Sequence, residues 1–202
     1  KIFTLFLLLM IASATWAQQL SLGRLKFHEG DNSAWKDVRF DDADWADVDV
    51  QGSANRGSIK KPQSYSWYRV KFVLPKSMLG NIKAKRSLEL YLGKIDDVDQ
   101  TYINGQLVGS TGRTPEQEGG YQSAWNDSRL YKIDTQSPFL NWDKENVLAI
   151  RVYNGGEQGG MSEGPITLNV ADMPKGMTIR FSEFADQKQM KCRVVVDNEN
   201  KS

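Results

Sequence analysis

One cysteine and one histidine are all that this chain of 202 residues has of the two residue types that build most zinc sites and thiol centres. A lone Cys192 forms no intrachain disulfide, so packing must hold the fold, with or without help from a metal ion. A lone His28, with no GxSxG elbow anywhere, leaves a Ser-His-Asp relay without its nucleophile, and a structural histidine at a strand end is the simpler reading. Charge of one sign is also lacking. The chain carries 26 Lys and Arg against 25 Asp and Glu, so bulk electrostatics recruits neither nucleic acid nor an anionic membrane. There is no sequence repeat, no low-complexity tract and no long amphipathic helix.

One apolar run is present. Ile2 to Ala14 follows Lys1, and Thr15-Trp16-Ala17 ends in a small residue suited to signal peptidase, so residues 1–17 are expected to be a secretory signal cleaved before Gln18. The run falls short of the roughly 20 residues that a spanning helix needs, which makes a membrane anchor the weaker reading. A secreted or periplasmic protein with no stable membrane span is therefore expected. The roughly 185 residues that remain suit one all-β domain.

The stretch from Leu88 to Thr111 organises that domain. Leu88, Leu90 and Leu92 alternate with Glu89, Tyr91 and Gly93, the period of two that places one strand face on a core. Asn104-Gly105, between Thr101-Tyr102-Ile103 and Gln106-Leu107-Val108, accepts the positive φ of a two-residue hairpin turn. Further strands are predicted over 67–74, with Tyr68, Val70, Phe72 and Leu74 on one face and Trp67, Arg69 and Lys71 on the other, and over 129–133, 146–153 and 166–170. Residues 52–66 read as an exposed connection, and 112–128 and 154–165 as long glycine-bearing loops, which in compact domains are more often functional than idle. Residues 177–181 and 192–196 suggest a last strand pair, with a helical turn as the alternative for the stretch between them and a disordered tail from Asp197. Many short strands with turn signals predict an all-β fold, a β-sandwich of jelly-roll type.

The segments FHEGDNSAW, FDDADW, WYRVKFVLP, LYLGKIDDVDQTYINGQLVGSTG, RLYKI and NVLAIRVYNGGEQGGMSEGPI occur in an order that resembles the galactose-binding-like sugar-binding domain of glycoside hydrolase family 2, also called the β-galactosidase jelly roll. The resemblance runs from Leu25 to Val170, within a domain expected over 18–172, followed by an extension over 173–202. Similar domains sit in bacterial sialate O-acetylesterases and in extracellular sensor regions of signalling proteins, so the resemblance implies a fold more firmly than a function. Family 2 hydrolases carry their catalytic carboxylates on a separate α/β barrel, for which 202 residues leave no room. The Gly-Asp-Ser of the esterases is matched only by Gly30-Asp31-Asn32, without the nucleophile. The resemblance thus implies a non-catalytic module that binds a carbohydrate and works with a separate exported catalytic protein; the rival readings are a ligand-sensing or protein-binding adaptor and a fragment of a hydrolase or esterase.

Within that reading the sugar contacts are expected from the two long loops and their flanking strands. Tyr121 and Trp125 would stack on a sugar ring, while Asp96, Asp97, Arg129 and Arg151 exchange hydrogen bonds with hydroxyls. The alternatives are a Trp125 that plugs the sandwich end, an Arg151 paired with an internal aspartate, and Asp96, Asp97 and Asp99 that merely cap turns. Asp41, Asp42 and Asp44 are candidate ligands for a structural calcium, although the full set of an EF-hand loop is missing. Trp35 and Trp45 are expected to be core anchors, with Trp67 undecided.

Overall fold

The structure is a computed structural model that describes residues 19–50, 59–80, 86–172, 177–186 and 189–198. The expected signal over 1–17 lies outside the described residues.

Two antiparallel sheets stack face to face. The larger has the order β3 (Ala46–Asp49), β2 (Arg24–Glu29), β4 (Ser64–Val73), β9 (Glu145–Asn154), β6 (Val98–Ile103), β7 (Gln106–Thr111). In the other, β1 (Leu20–Leu22) pairs with β11 (Ile166–Asp172) and β11 with β5 (Arg86–Asp96); β10 (Gly160–Glu163) and β8 (Ser128–Asp134) also pair with β5. Leu88, Leu90 and Leu92 are fully buried, as the alternation requires, and meet Tyr68, Phe72, Leu148, Ile150 and Val152 across the interior. Each such aliphatic side chain contributes about 1.5–3 kcal/mol of burial. The two-residue hairpin also forms, with Ile103 opposite Gln106 and φ of 50° at Asn104 and 81° at Gly105.

Several expectations are corrected. The connection over 52–66 gives way at Ser64, where β4 begins, and the loop over 154–165 contains β10, which extends the β11 side of β5. Strands β12 (Met177–Asp186) and β13 (Gln189–Asn198) take up 182–186 and 189–190, where a helical turn was an alternative, and Asp197 and Asn198 belong to β13 rather than to a disordered tail.

The outer face of β4 differs most from expectation. Trp67 and Arg69, on the face opposite Tyr68 and Phe72 as the alternation predicts, point away from the sandwich interior, yet both are buried, which decides the open question of Trp67. Trp45, Trp67, Tyr102 and Ala149 form a second apolar cluster there, edged by Trp35, Phe40 and Leu107. Trp35 and Trp45 meet edge to face at 5.1 Å, and Trp67 stacks on Tyr102 at 5.9 Å. Trp35 and Trp45 are thus anchors of this outer layer rather than of the inter-sheet core. Arg69 fastens it: Nε donates to Asp42 at 2.8 Å, and the two terminal nitrogens donate to the carbonyls of Trp35, Asp37 and Phe40.

Gly93 marks the bulge where β5 shifts register against β8. Its φ is +69°, and a Cβ there would lie 1.8 Å from the Glu163 carbonyl oxygen. Gly93→Ala is expected to lower unfolding stability by about 2–5 kcal/mol, from left-handed strain plus overpacking; urea denaturation measures it, and an unchanged midpoint would contradict the bulge.

Candidate functional site

The loop end of the sandwich is built on a buried ion pair. Counting back by twos from Ile103 on β6 and from Ile133 on β8, both in the core, reaches Asp99 and Arg129, so the two charges point inward from opposite sheets. Arg129 Nε donates to Asp99 Oδ1 at 3.0 Å, and both side chains are fully buried. The other Asp99 oxygen accepts from Tyr131 and Thr101, each at 2.7 Å. Burial pushes the Asp99 carboxyl up, against the pull of the Arg129 guanidinium and the two hydroxyls.

Arg129 spends three more donors on backbone. One terminal nitrogen donates to the carbonyls of Ala124 and Asp127, the other to that of Asp97 at 2.8 Å. The expectation that Arg129 touches a sugar is therefore corrected: the guanidinium is fully buried, out of reach of a ligand, and positions the loop. The loop over 112–127 is further tied down by reciprocal bonds between Arg113 and Gln122, both 3.0 Å, and by Ala124 N donating to the Asp97 carbonyl at 3.2 Å.

On this base the structure gathers four of the expected residues. Asp97 accepts from the Ser123 hydroxyl and, at 2.7 Å, from the Gly155 amide, which joins the two long loops. A Cβ on Gly155 would fall 2.3 Å from the Tyr121 hydroxyl, so the backbone of the second loop lies directly on Tyr121. Burial alone would raise Asp97, but bonds from Ser123, Asp96, Gly155 and Tyr121 outweigh it and hold the carboxyl below its usual range. Asp96 is pushed the other way, to about 6, by burial first and then by its hydrogen bond to Asp97 and that group's charge. Tyr121 and Trp125 are 42% and 59% exposed, which makes them the open aromatic surface of this end. Trp125 therefore does not plug the sandwich.

Arg151 lies elsewhere, on the outer face of the larger sheet. It forks onto Asp31, with Nε to Oδ1 at 2.7 Å and Nη2 to Oδ2 at 2.5 Å, donates to Gln100 at 2.8 Å, and sits 3.8 Å over the Tyr65 ring. The aspartate partner considered from the sequence is real, although it is a half-exposed Asp31 rather than an internal one. Trp67 Nε1 donates to the same Asp31 at 3.1 Å. Burial would raise Asp31, but Arg151 and Trp67 hold it low. Sequence reasoning missed Asp31, Ser123 and Gln100; the only signal for Asp31 was its place in the Gly30-Asp31-Asn32 string.

The calcium candidates do not converge. Asp42 turns to Arg69, and Asp41 caps the turn by accepting from Ala43 N at 3.1 Å. Among the described residues no three of His, Cys, Asp and Glu gather in a way that would hold a metal. His28 lies at the end of β2 with its ring 4.9 Å from Trp35 and 5.3 Å from Trp45. No described helix is long and apolar enough to cross a membrane.

With this geometry in hand, comparison with known proteins gives a fold and little more. No family profile matches the chain, and no curated protein does. Solved structures do. A Bacteroides uniformis beta-glucuronidase is similar at 23% identity with a TM-score of 0.57, over 77% of this chain and 18% of that one. A glycoside hydrolase family 2 member from Bacteroides cellulosilyticus is similar at 16% identity with a TM-score of 0.54, over 91% and 30%, and a beta-glycosidase from Bacteroides vulgatus at 20% with 0.51, over 92% and 25%. What they share is the fold. The chain spans less than a third of the length of these glycosidases.

Two measurements test the loop-end geometry. Arg129→Met strands a buried carboxylate and is expected to cost about 3–5 kcal/mol in urea denaturation. The second concerns pH. A carboxyl raised in the folded state binds its proton more tightly there than in the unfolded chain, so stability falls as pH climbs from 3.8, the ordinary value, towards about 6. Asp96→Asn should make that fall shallower; an unchanged slope would remove the Asp96–Asp97 proton sharing.

Proposed function

We propose that this chain is a non-catalytic carbohydrate-binding module of the glycoside hydrolase family 2 sugar-binding type, a galactose-binding-like jelly roll, exported to the periplasm or the medium. It takes a glycan at its loop end. The observation that carries the reading is an open aromatic pair, Tyr121 and Trp125, on a loop fixed from behind by Arg129. An indole and a phenol ring offer flat apolar area to the C–H face of a sugar, and the partly buried Asp96 beside them offers a hydrogen-bonding group to hydroxyls. Fixing the loop in advance lowers the ordering cost of binding.

A purely binding role fits the carboxylates. Glycoside hydrolysis by the usual route needs two carboxyls flanking the scissile bond. Here Asp97 is held by Ser123, Gly155 and Tyr121, and Asp96 leans on Asp97, so the pair faces itself rather than two sides of a substrate. A glycosidase catalytic unit, on this polypeptide or a separate exported one, is the natural partner, since the similar solved structures are glycosidases of which a chain like this one spans 18–30%.

A glycan array followed by calorimetry is the test. Saturable binding of a neutral glycan, weakened about tenfold or more in Trp125→Ala, is expected, because loss of a stacking ring removes both apolar area and the ring-face interaction. Trp125 is exposed, so the variant should fold as the parent does. Binding that ignores the substitution, or an array with no hits, would set the loop-end site aside.

A further inference from the structure

The outer face of the larger sheet holds a cleft of about 250 Å³ that the loop-end site does not use, lined by Asp31, Ser33, Lys36, Trp67, Gln100, Tyr102 and Arg151. Its floor is already satisfied. Arg151 and Asp31 neutralise each other through two hydrogen bonds, and Trp67 adds a third to the same carboxylate. The rim is not. Lys36 Nζ stands 5.4 Å from the Tyr102 ring centroid, and no carboxylate among the described residues lies within ion-pair reach of it. The Gln100 side chain uses its oxygen to accept from Arg151 and Tyr102, while its amide nitrogen donates to none of the described residues. The Ser33 hydroxyl is likewise unengaged among them.

The lining therefore carries one positive charge in excess, two cations against Asp31, and three donors without acceptors. A cleft with this balance of charge and donors favours an anion. Its volume is below that of a drug-sized site and matches one small polar molecule. Trp67 and Tyr102 are almost completely buried, so the cleft presents polar edges rather than an aromatic platform. Asp31 Oδ2, which accepts only from Arg151 while Oδ1 takes both Arg151 and Trp67, keeps a lone pair to receive a hydroxyl proton.

We propose that this cleft is a second binding site, specific for a sugar bearing a carboxylate: the carboxylate pairs with Lys36 and the Gln100 amide, and ring hydroxyls meet Ser33 and Asp31. The anion requirement follows from the cleft alone, and only the choice of a sugar as its carrier rests on the carbohydrate reading above. The site is distinct from the loop end. Neutral-glycan binding at Trp125 and acid binding at Lys36 are separate measurements that fail separately.

The probe is D-glucuronate, titrated into the full chain at constant ionic strength, with D-glucose and acetate as comparison arms. Saturable heat is expected with glucuronate, with acetate markedly weaker and glucose silent. In NMR spectra the Gln100 side-chain amide and the backbone of residues 33–37 should shift while the Trp125 indole N–H stays in place. Lys36→Gln should weaken glucuronate at least about tenfold, the scale of a charged hydrogen bond lost, and Lys36→Arg should restore part of it. Lys36 is partly exposed and makes no ion pair among the described residues, so both variants should fold. No saturable response, an equal response to glucose, a Lys36→Gln titration like the parent's, or shifts confined to Tyr121 and Trp125 would each overturn the site. Equal affinity for acetate would overturn its assignment to a sugar acid.

Discussion

The Asp99–Arg129 ion pair is the constraint on which the loop end depends. Taking two charges out of water costs several kcal/mol, which their attraction repays only with good geometry and every remaining donor satisfied. Here Asp99 gains two hydroxyls and Arg129 gains three carbonyls beyond the pair itself. The result is modest as a source of stability and demanding as a specification. The strands β6 and β8 must face one another in one register, and the chain between Ala124 and Asp127 must pass within reach of one guanidinium, or a buried charge is left unpaired.

Arg69 solves the same problem on the other side of the larger sheet. It too is fully buried, with one carboxylate, Asp42, and three main-chain carbonyls as partners, and it draws the segment around Trp35 and Phe40 over Trp67. Two arginines thus tie loops to strands, as a disulfide can. A guanidinium suits this role because its five donors lie in one rigid plane and can gather several carbonyls at once. Lysine, a single flexible point charge, would hold the carboxylate and leave the loop free.

This explains what was legible in the sequence and what was not. The central leucines, the Asn-Gly turn and the strand periods were readable because they are local: two or three neighbours determine them. The loop-end grouping of Asp96, Asp97, Tyr121 and Trp125 was readable in outline because both long loops had to emerge at strand ends. Arg129 was misread because an arginine beside a leucine is ordinarily the exposed one of the two. Strand parity pointed the other way: Arg129, Tyr131 and Ile133 share the inner face, and Leu130 is 49% exposed. Arg151 and Asp31 are 120 positions apart, and no pattern short of the sheet order β2-β4-β9 brings them together.

The burial of Trp67 follows from the same source and changes what the outer face can do. The second apolar layer covers Trp67 of β4, Ala149 of β9 and Tyr102 of β6, and the cleft lies beside it, over Gln100 of β6 and Arg151 of β9. The Arg151 guanidinium rests on Tyr65, whose ring packs on Tyr153 at 4.9 Å, which in turn meets Tyr121 at 5.5 Å. A continuous run of packed rings thus connects the outer cleft to the loop end. Packing along this run sets where Arg151 and Tyr121 stand relative to one another. On the two proposals above, a ligand long enough to reach both surfaces would gain from occupying them together only if its spacing of neutral and acidic units matched their separation.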